Sequence, residues 1–324
     1  MRKHNFKDGL GPVPAHKHKN GGGWVADTAT VSDTAYIDPN AKVYGNAQVS
    51  ENAKVYGNAH VSENARVFGH AQVFGHTLVS GTAQVYGNAG VSGNARVFGH
   101  AQVYGTALVY EDAWVSENAQ VSENAQVYKN AHVSENARVF GHAQVYGHTL
   151  VSGTAQVYRN AKVYGNAQVS GTAQVYGNAQ VYDNAQVYDN AWVHGNAQVY
   201  DNAKVYDDAQ VWGNAVVWGN ALVSGTAQVS ENAQVYENAH VYGSALVSGN
   251  AHVSGHTLVY GYARVCGTTQ VYGNAVVYVP INFDCDFDPW EIMQDILNDK
   301  DNLPTRIGIH PNLDKIIHEL LQKD

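Results

Sequence analysis

The sequence predicts an all-β fold in which short strands and corners alternate every six residues. An apolar β-branched residue returns at every sixth position from Val25 to Val277 without insertion or deletion, giving 43 hexads. The residue four places after each of these anchors is Ala nearly everywhere, and it is Thr at a few positions such as Thr77. A period of six does not place apolar residues along one face of a helix, whose period is 3.6 residues.

A single hexad, Val55 to His60, shows how strand and corner alternate. Side chains in a strand point to opposite faces in turn, so Val55 points inward and Tyr56 outward. Gly57 and Asn58 follow, and both residue types tolerate the left-handed backbone conformation of tight turns. Each hexad is therefore expected to form one strand and one corner.

The pattern, an aliphatic anchor followed four residues later by a small residue, resembles the hexapeptide repeat of left-handed parallel β-helices. It is similar above all to the long hexad solenoids of bacterial and phage genomes, several of which carry a motif like Gly22-Gly23-Trp24-Val25 and are often labelled acetyltransferase-like. The match covers about 250 of the 324 residues. The resemblance implies a left-handed, three-sided helix of about 14 coils, and strand spacing gives a rod about 67 Å long.

The chain is expected to divide into a flexible basic lead-in (1–23), the repeat (24–278) and a C-terminal segment (279–324). The lead-in is rich in Gly, Pro and Lys, a composition that seldom packs a core. His16 and His18 could bind a metal loosely, but the neighbouring lysines oppose this. Trp24 is predicted to cover one end of the stack, because open strand edges invite aggregation.

The C-terminal segment is predicted to form two helices that cap the last coil. Asp288 followed by Pro289 is typical of a helix start, and this helix would extend to about Asn298. A second helix, about 311–322, carries one apolar stripe. The residues predicted to cap this end are Trp290, Leu313, Ile316, Ile317 and Leu320. The alternative is a docking module that joins copies into a dimer or trimer.

Composition excludes several classes of protein. Lys and Arg number 19 against 28 Asp and Glu, and the acids are spread along the repeat, so neither nucleic-acid binding nor DNA mimicry is expected. No run of 18 apolar residues and no secretory signal pattern are present, which favours the cytoplasm or a phage particle and predicts no membrane association. The sequence leaves open whether Cys266 and Cys285 pair.

A 40-residue block is duplicated inside the repeat. Val49–Asn88 and Val121–Asn160 differ at only four positions. The offset of 72 residues is four times 18, so the copied block returns to the same faces. The repeat is therefore expected to be extendable without any change in cross-section.

The residues offer little for catalysis. Hexapeptide solenoids are best known as acyl-CoA-dependent acyltransferases, which use a His base and an extruded loop, but no loop interrupts these hexads. The corner histidines are better explained as replacements for Asn: His70, His76, His100, His142, His148 and His256. His142 and His148 are copies of His70 and His76 from the duplication. His60 and His132 are four coils apart, too far to share a metal. The sequence predicts no enzyme, metal or cofactor, with acyltransferase as the alternative.

One outward column is unusually aromatic. Every eighteenth residue from Asp38 is aromatic in eleven of fourteen cases, eight of them consecutive: Tyr110, Tyr128, Tyr146, Tyr164, Tyr182, Tyr200, Trp218 and Tyr236. We expect this column to be a binding face for a protein, a glycan or another copy of the chain. The alternative is that the rings only stabilise the stack. Ice binding is disfavoured because the outward rows lack ranks of Thr.

Overall fold

The computed structural model describes residues 2–278, which divide into two compact units, residues 2–172 and 173–278. Strands are numbered along the chain. Unit 1 begins with a β-hairpin formed by β1 (Lys3–Asn5) and β2 (Pro12–Lys17). The second strand of the hairpin pairs antiparallel with β3 (Trp24–Ala26), placing His16 opposite Val25. The hairpin therefore covers the first open strand edge.

A small core holds the hairpin in place. Phe6 and Ala15 are buried together with Ala26, and Val13 and Trp24 pack against them. The structure corrects the prediction that the lead-in lacks a packed core. Its composition is polar, but one aromatic ring and the hydrogen-bonding edge of β3 provide enough partners to order it.

Two ion pairs join this segment to the first coil. His16 Nδ1 lies 2.8 Å from Asp27 Oδ1, and Lys19 Nζ lies 2.6 Å from Asp33 Oδ2. The hydrogen bond and positive charge of Lys19 lower the pKa of Asp33. His16 is thus engaged with a carboxylate, and no group of three metal-ligating side chains occurs anywhere in residues 2–278.

The remaining strands of unit 1 form three parallel sheets in which each strand pairs with the strand one turn further along. Val25, for example, lies opposite Val43. The first sheet contains β3, β6 (Lys42–Val43), β9 (His60–Val61), β12 (Leu78–Val79), β15 (Arg96–Val97), β18 (Trp114–Val115), β21 (His132–Val133), β24 (Leu150–Val151) and β27 (Gln168–Val169).

The second and third sheets of unit 1 follow the same rule. The second contains β4 (Thr30–Val31), β7 (Gln48–Val49), β10 (Arg66–Val67), β13 (Gln84–Val85), β16 (Gln102–Val103), β19 (Gln120–Val121), β22 (Arg138–Val139) and β25 (Gln156–Val157). The third contains β5 (Tyr36–Ile37), β8 (Lys54–Val55), β11 (Gln72–Val73), β14 (Gly90–Val91), β17 (Leu108–Val109), β20 (Gln126–Lys129), β23 (Gln144–Gly147) and β26 (Lys162–Val163).

Unit 2 is built in the same way. Its first sheet contains β30 (Gln186–Val187), β33 (Lys204–Val205), β36 (Leu222–Val223), β39 (His240–Val241), β42 (Leu258–Val259) and β45 (Val276–Val277). Its second contains β28 (Gln174–Val175), β31 (Trp192–Val193), β34 (Gln210–Val211), β37 (Gln228–Val229), β40 (Leu246–Val247) and β43 (Arg264–Val265). Its third contains β29 (Gln180–Val181), β32 (Gln198–Val199), β35 (Val216–Val217), β38 (Gln234–Val235), β41 (His252–Val253) and β44 (Gln270–Val271).

The interior of each unit is a column of valine and alanine. The anchors and the small residues between them are fully buried, as at Val127 and Ala131. Outward residues donate backbone hydrogen bonds to the next turn: Lys54 N to Ala71 O at 2.9 Å, and Tyr56 N to Val73 O at 2.8 Å. Burial of each valine contributes roughly 1.5–3 kcal/mol. The column explains the strict spacing of the anchors.

The predicted all-β architecture of parallel coils with three strands per turn is confirmed within each unit. No segment of residues 2–278 forms a helix that could cross a membrane. The predicted capping helices lie outside the described residues, and so does Cys285. The same holds for the residues expected to pack there: Trp290, Leu313, Ile316, Ile317 and Leu320.

Candidate binding face

The aromatic column lies on the third sheet of each unit, and we call it the aromatic ladder. Each of its residues directly follows a buried anchor, so strand alternation directs its side chain outward. All are half-buried. Unit 1 contributes Tyr110, Tyr128, Tyr146 and Tyr164, and unit 2 contributes Tyr182, Tyr200, Trp218 and Tyr236.

In unit 1 the rings stack face to face. The ring centroids of Tyr110 and Tyr128 are 4.7 Å apart, those of Tyr128 and Tyr146 are 4.8 Å apart, and the rings of each pair are within 10° of parallel. Tyr146 and Tyr164 continue the stack at 5.1 Å and 3°. The spacing equals the distance between adjacent strands, so the backbone sets the stacking distance. Tyr128 and Tyr146 are therefore covered on both ring faces, and their ring edges are the parts left for contact.

Unit 2 repeats this arrangement with one tryptophan in the column. Tyr182 and Tyr200 stack at 4.8 Å, and the ring of Trp218 lies between Tyr200 at 5.9 Å and Tyr236 at 4.3 Å. The stack ends where His252 meets Tyr236 edge-on, with the rings 6.4 Å apart and inclined by 81°.

A row of glutamines runs beside the ladder. The hydroxyl of Tyr110 donates to Gln126 Oε1 at 3.4 Å, and the hydroxyl of Tyr182 donates to Gln198 Oε1 at 3.3 Å. Lys129 Nζ lies 5.3 Å from the ring centroid of Tyr146, within the range of a cation–π contact. The face is therefore apolar at its ring edges and offers neutral hydrogen-bonding groups alongside.

Stacking changes the acidity of the phenols. Burial, reinforced by the neighbouring Tyr110 and Tyr146, raises the pKa of Tyr128 to about 12. Burial likewise raises the pKa of Tyr110, Tyr146 and Tyr200. These phenols remain neutral at physiological pH, so the ladder carries donors and acceptors rather than charge.

The ladder of unit 1 begins beyond a gap in the aromatic column. Phe74 and Tyr110 are two turns apart, and Ser92 occupies the position between them. Because Ser92 has no ring to stack on Phe74, that side of the Phe74 ring lacks an aromatic neighbour, and Phe74 is 42% exposed. On the same coil Gly90 supplies no side chain, and Leu108 Cδ2 would lie 2.9 Å from a Cβ placed there. Leu108 leans over Gly90 and is still 42% exposed.

Aromatic rings also stack on the other two sheets. On the second sheet of unit 1, Phe68, Tyr86 and Tyr104 stack at 4.8 Å and 5.0 Å. On the first sheet, Trp114 stacks on His132 at 4.8 Å. The ladder therefore differs from the other faces in the length of its stacks and not in the kind of contact.

Acidic corner residues have a structural role that the sequence did not indicate. Glu63 Oε2 accepts the backbone N–H of Gly81 at 2.7 Å, and in unit 2 Asp207 Oδ2 accepts that of Gly225 at 2.9 Å. The first corner residue has a positive φ even where it is not glycine, as at Glu51, Glu63, Glu111, Glu117, Glu123, Lys129, Glu135, Arg159, Asp183, Asp189, Asp201, Asp207, Glu231 and Glu237. Among the acidic residues of this set, Glu63 and Asp207 thus use their carboxylates to bind a backbone amide of the next turn.

Histidines of the described repeat include corner residues and residues on the strands. Corner histidines are exposed, and His100 Nδ1 is 2.5 Å from the Thr82 hydroxyl of the preceding turn. His60 and His132 lie on the first sheet, where burial first and then neighbouring groups, Lys42 for His60 and His148 for His132, lower their pKa. Consecutive strands between residues 24 and 278 are joined by four residues or fewer. A catalytic base usually needs a pocket and an orienting partner.

Trp24, predicted to cover the first end, lies in β3 and contacts the hairpin. Its ring stacks on His4 with the centroids 4.3 Å apart, and Lys17 Nζ lies 5.7 Å from it. Burial and, to a smaller extent, Lys42 lower the pKa of His4, which favours the neutral ring for this stack. The edge of the coil itself is paired by the hairpin strand, and Trp24 holds that hairpin in place.

The family model of the YdcK β-solenoid repeat matches four segments, each about one turn long: residues 83–99, 179–195, 197–213 and 233–249. The first lies in unit 1 and the other three in unit 2. The match and the parallel coils agree that the chain is a repeat protein of the β-solenoid type. The search of curated proteins found no match.

Proposed function

We propose that this β-solenoid repeat protein is a non-enzymatic scaffold that presents the aromatic ladder to a protein partner. The observation that carries the proposal is the run of parallel, stacked, half-buried rings along the third sheet of each unit. Tyrosine and tryptophan supply large contact areas with little loss of side-chain entropy. The proposal adopts the left-handed winding implied by the hexapeptide resemblance.

The orientation of the rings favours a protein over a glycan. A sugar ring packs on an exposed aromatic face, but in unit 1 the faces of Tyr128 and Tyr146 are covered on both sides at 4.7–5.1 Å. Ring edges and hydroxyl groups remain for contact. These groups, with the adjacent glutamines, suit apolar side chains and backbone groups of a polypeptide. A polysaccharide is the second candidate, and it should be tested directly.

Weak contacts repeated along a rigid face gain strength together. Each ring of the ladder offers a small contact area. Once several rings have bound the partner, the effective concentration of the partner at the remaining rings is higher. The interaction should therefore depend on consecutive rungs rather than on one residue. Loss of adjacent rings should weaken binding more steeply than loss of separated rings.

Stacking for stability alone is the competing explanation, since each ring pair adds about 0.5–1.5 kcal/mol. The shorter stacks of the second sheet permit a matched comparison. Variant one replaces Tyr128, Tyr146 and Tyr164 by Ser, a residue that already occupies this outward position on many turns. Variant two replaces Tyr86, Tyr104 and Tyr158 of the second sheet by Ser. Both remove three stacked rings from unit 1.

The two variants and the wild-type protein are immobilised and exposed to extract from the native source and to a panel of polysaccharides. We expect the first variant to lose at least tenfold in retained partner, and the second to bind like the wild type. Equal retention by both variants, with the first melting at much lower temperature, would show that the ladder only stabilises the fold.

Acyl transfer is the alternative activity for a hexapeptide-type repeat. The exposed corner histidines and the short connections between strands favour the scaffold. Titration with acetyl-CoA separates the two functions. Saturable binding in the micromolar range that is lost on replacing one histidine would overturn the scaffold proposal.

A further inference from the structure

The gap at Ser92 is an open slot in the aromatic column of unit 1. Phe74 and Tyr110 flank it, and two turns separate their rings by about 9.6 Å. One aromatic ring placed midway would lie about 4.8 Å from each neighbour, within the usual stacking range. The slot therefore has the dimensions of one missing rung.

Comparable gaps elsewhere are closed. Ser122 lies between Tyr104 and Phe140 on the second sheet and is 6% exposed. Ser254, which follows Tyr236 in the column of unit 2, is 8% exposed. Ser92 is more accessible than either, and the flanking Phe74 is 42% exposed. Of these three gaps, that at Ser92 remains open to a ring from outside.

We propose that this slot receives the Tyr110 ring of a second copy of the chain, so that two third-sheet faces of unit 1 pack against each other. This deepens the proposed function by naming the partner, and it rests on the ladder being a contact face. A two-fold axis parallel to the strands reverses the order of the turns. Placed between β14 and β17, it sets Ser92 opposite the partner's Tyr110 and Gly90 opposite the partner's Leu108.

The register follows from residue size. The small, accessible Ser92 then meets the large side chain of Tyr110, and the exchange occurs twice by symmetry. A parallel arrangement, with the axis along the stack, would instead set Gly90 opposite Ser92 and leave both slots empty. The antiparallel arrangement also covers the exposed side chains of Phe74 and Leu108.

Charge along the face agrees with this register. The turn with Asp38 lies opposite the turn with Lys162, and the turn with Glu123 lies opposite the turn with His70. Glu111 lies opposite a turn that carries no charge on this face. No pair of opposed turns brings together two charges of the same sign, so electrostatic repulsion does not oppose association.

The area is sufficient for a dimer. The third sheet of unit 1 has eight strands. At about 4.8 Å per strand and about 20 Å per six-residue side, the face measures roughly 760 Å². A standard interface buries about 800 Å² on each partner. A reversible dimer in the micromolar range is expected.

Filling the slot tests the proposal. Ser92→Tyr should complete the stack between Phe74 and Tyr110 within one chain, which raises or preserves the melting temperature, while it blocks the partner's ring. Sedimentation equilibrium should show dimerisation weakened at least tenfold. Ser134→Tyr places the same ring on the first sheet and should dimerise like the wild type. A Ser92→Tyr protein that dimerises normally, or a wild type monomeric up to about 100 μM, overturns the proposal.

Cross-linking tests the register. Ser92→Cys and Tyr110→Cys are made as separate variants in a background with Cys266→Ser and Cys285→Ser, and are then mixed under mild oxidation. The antiparallel arrangement predicts disulfide-linked dimers in the mixture and few in either variant alone. Cross-links confined to the single variants would overturn it. If the wild-type protein is monomeric but binds a native partner through the ladder, the dimer proposal is wrong and the proposed scaffold function is still supported.

Discussion

The carboxylate of Glu63 accepts the backbone N–H of Gly81, one turn further along unit 1, at 2.7 Å. In the duplicated block Glu135 holds the amide of Gly153 at the same 2.7 Å. The corner amide would otherwise depend on water. The acid thus replaces a backbone acceptor that the corner geometry does not provide.

Replacing Glu63 by Ala should expose the Gly81 amide. A charge-assisted hydrogen bond at an exposed corner contributes about 1 kcal/mol, so hydrogen exchange at that amide should accelerate roughly fivefold. The Gly153 amide in the same molecule is the internal control and should not change. Equal acceleration at both amides would indicate general destabilisation instead of a local bond.

Gly81 should tolerate Ala less well than Gly22 does. Both residues have a left-handed backbone, with φ of +69° and +80°. A Cβ on Gly81 would lie 2.7 Å from Gly99 O, whereas a Cβ on Gly22 meets nothing within 4 Å. Each Ala costs about 1 kcal/mol for its conformation, and the contact at Gly81 should add about 1–3 kcal/mol. Denaturant midpoints of the two variants check this, and equal midpoints would contradict it.

The ladder should stabilise the folded state less at alkaline pH. The folded pKa of Tyr128 is raised to about 12, whereas that of an unfolded tyrosine is about 10. The neutral phenol is thus favoured in the folded state. Its contribution is complete below pH 10 and is lost as the pH rises from 10 through 12.

This prediction is checked by following tyrosinate absorbance and circular dichroism together above pH 9. Tyr128→Phe should make stability less dependent on pH in that window. Tyr262→Phe, which removes an exposed phenol outside the ladder, is the matched control. Identical alkaline transitions in the wild type and Tyr128→Phe would contradict the assignment.

The hairpin should protect the first strand edge. Phe6 is 1% exposed, and its replacement by Ala should cost about 3–5 kcal/mol, enough to release the hairpin. The freed edge of β3 should then drive higher-order association, measurable by light scattering. Leu10→Ala, at a side chain that is 82% exposed, should leave the protein unassociated. Scattering that stays at the wild-type level in Phe6→Ala would show that the edge needs no cover.

The repeat was predictable because its information is local and periodic. Val55 and Ala59 lie in the same relation as every other anchor and its small residue, so strand position, face and inward direction follow from counting. Stacking of Tyr128 on Tyr146 follows as well, since strands of one sheet stand one turn apart. Whether the ladder binds a partner stays a prediction, because the same rings can serve stability alone.

What escaped prediction depends on contacts between distant or dissimilar residues. The hairpin is ordered by Phe6 against Ala26 and by the edge of β3, neither of which its polar composition indicates. Corner acids are common turn residues, so the bond from Glu63 to a later glycine amide has no signal of its own. Ser92 is only a break in the aromatic run until its exposure is compared with that of other serines.

In the repeat of each unit, the backbone hydrogen bonds between turns join neighbouring turns, as Tyr56 N to Val73 O illustrates. A force applied to one end of the chain would therefore act on the outermost turn first. The hydrogen bonds of that turn would break before the next turn is under tension. Every released turn returns 18 residues, or about 60 Å of extended chain. Under force, such a unit should unfold in steps of equal length, and the turns farthest from the pulled end should stay folded longest.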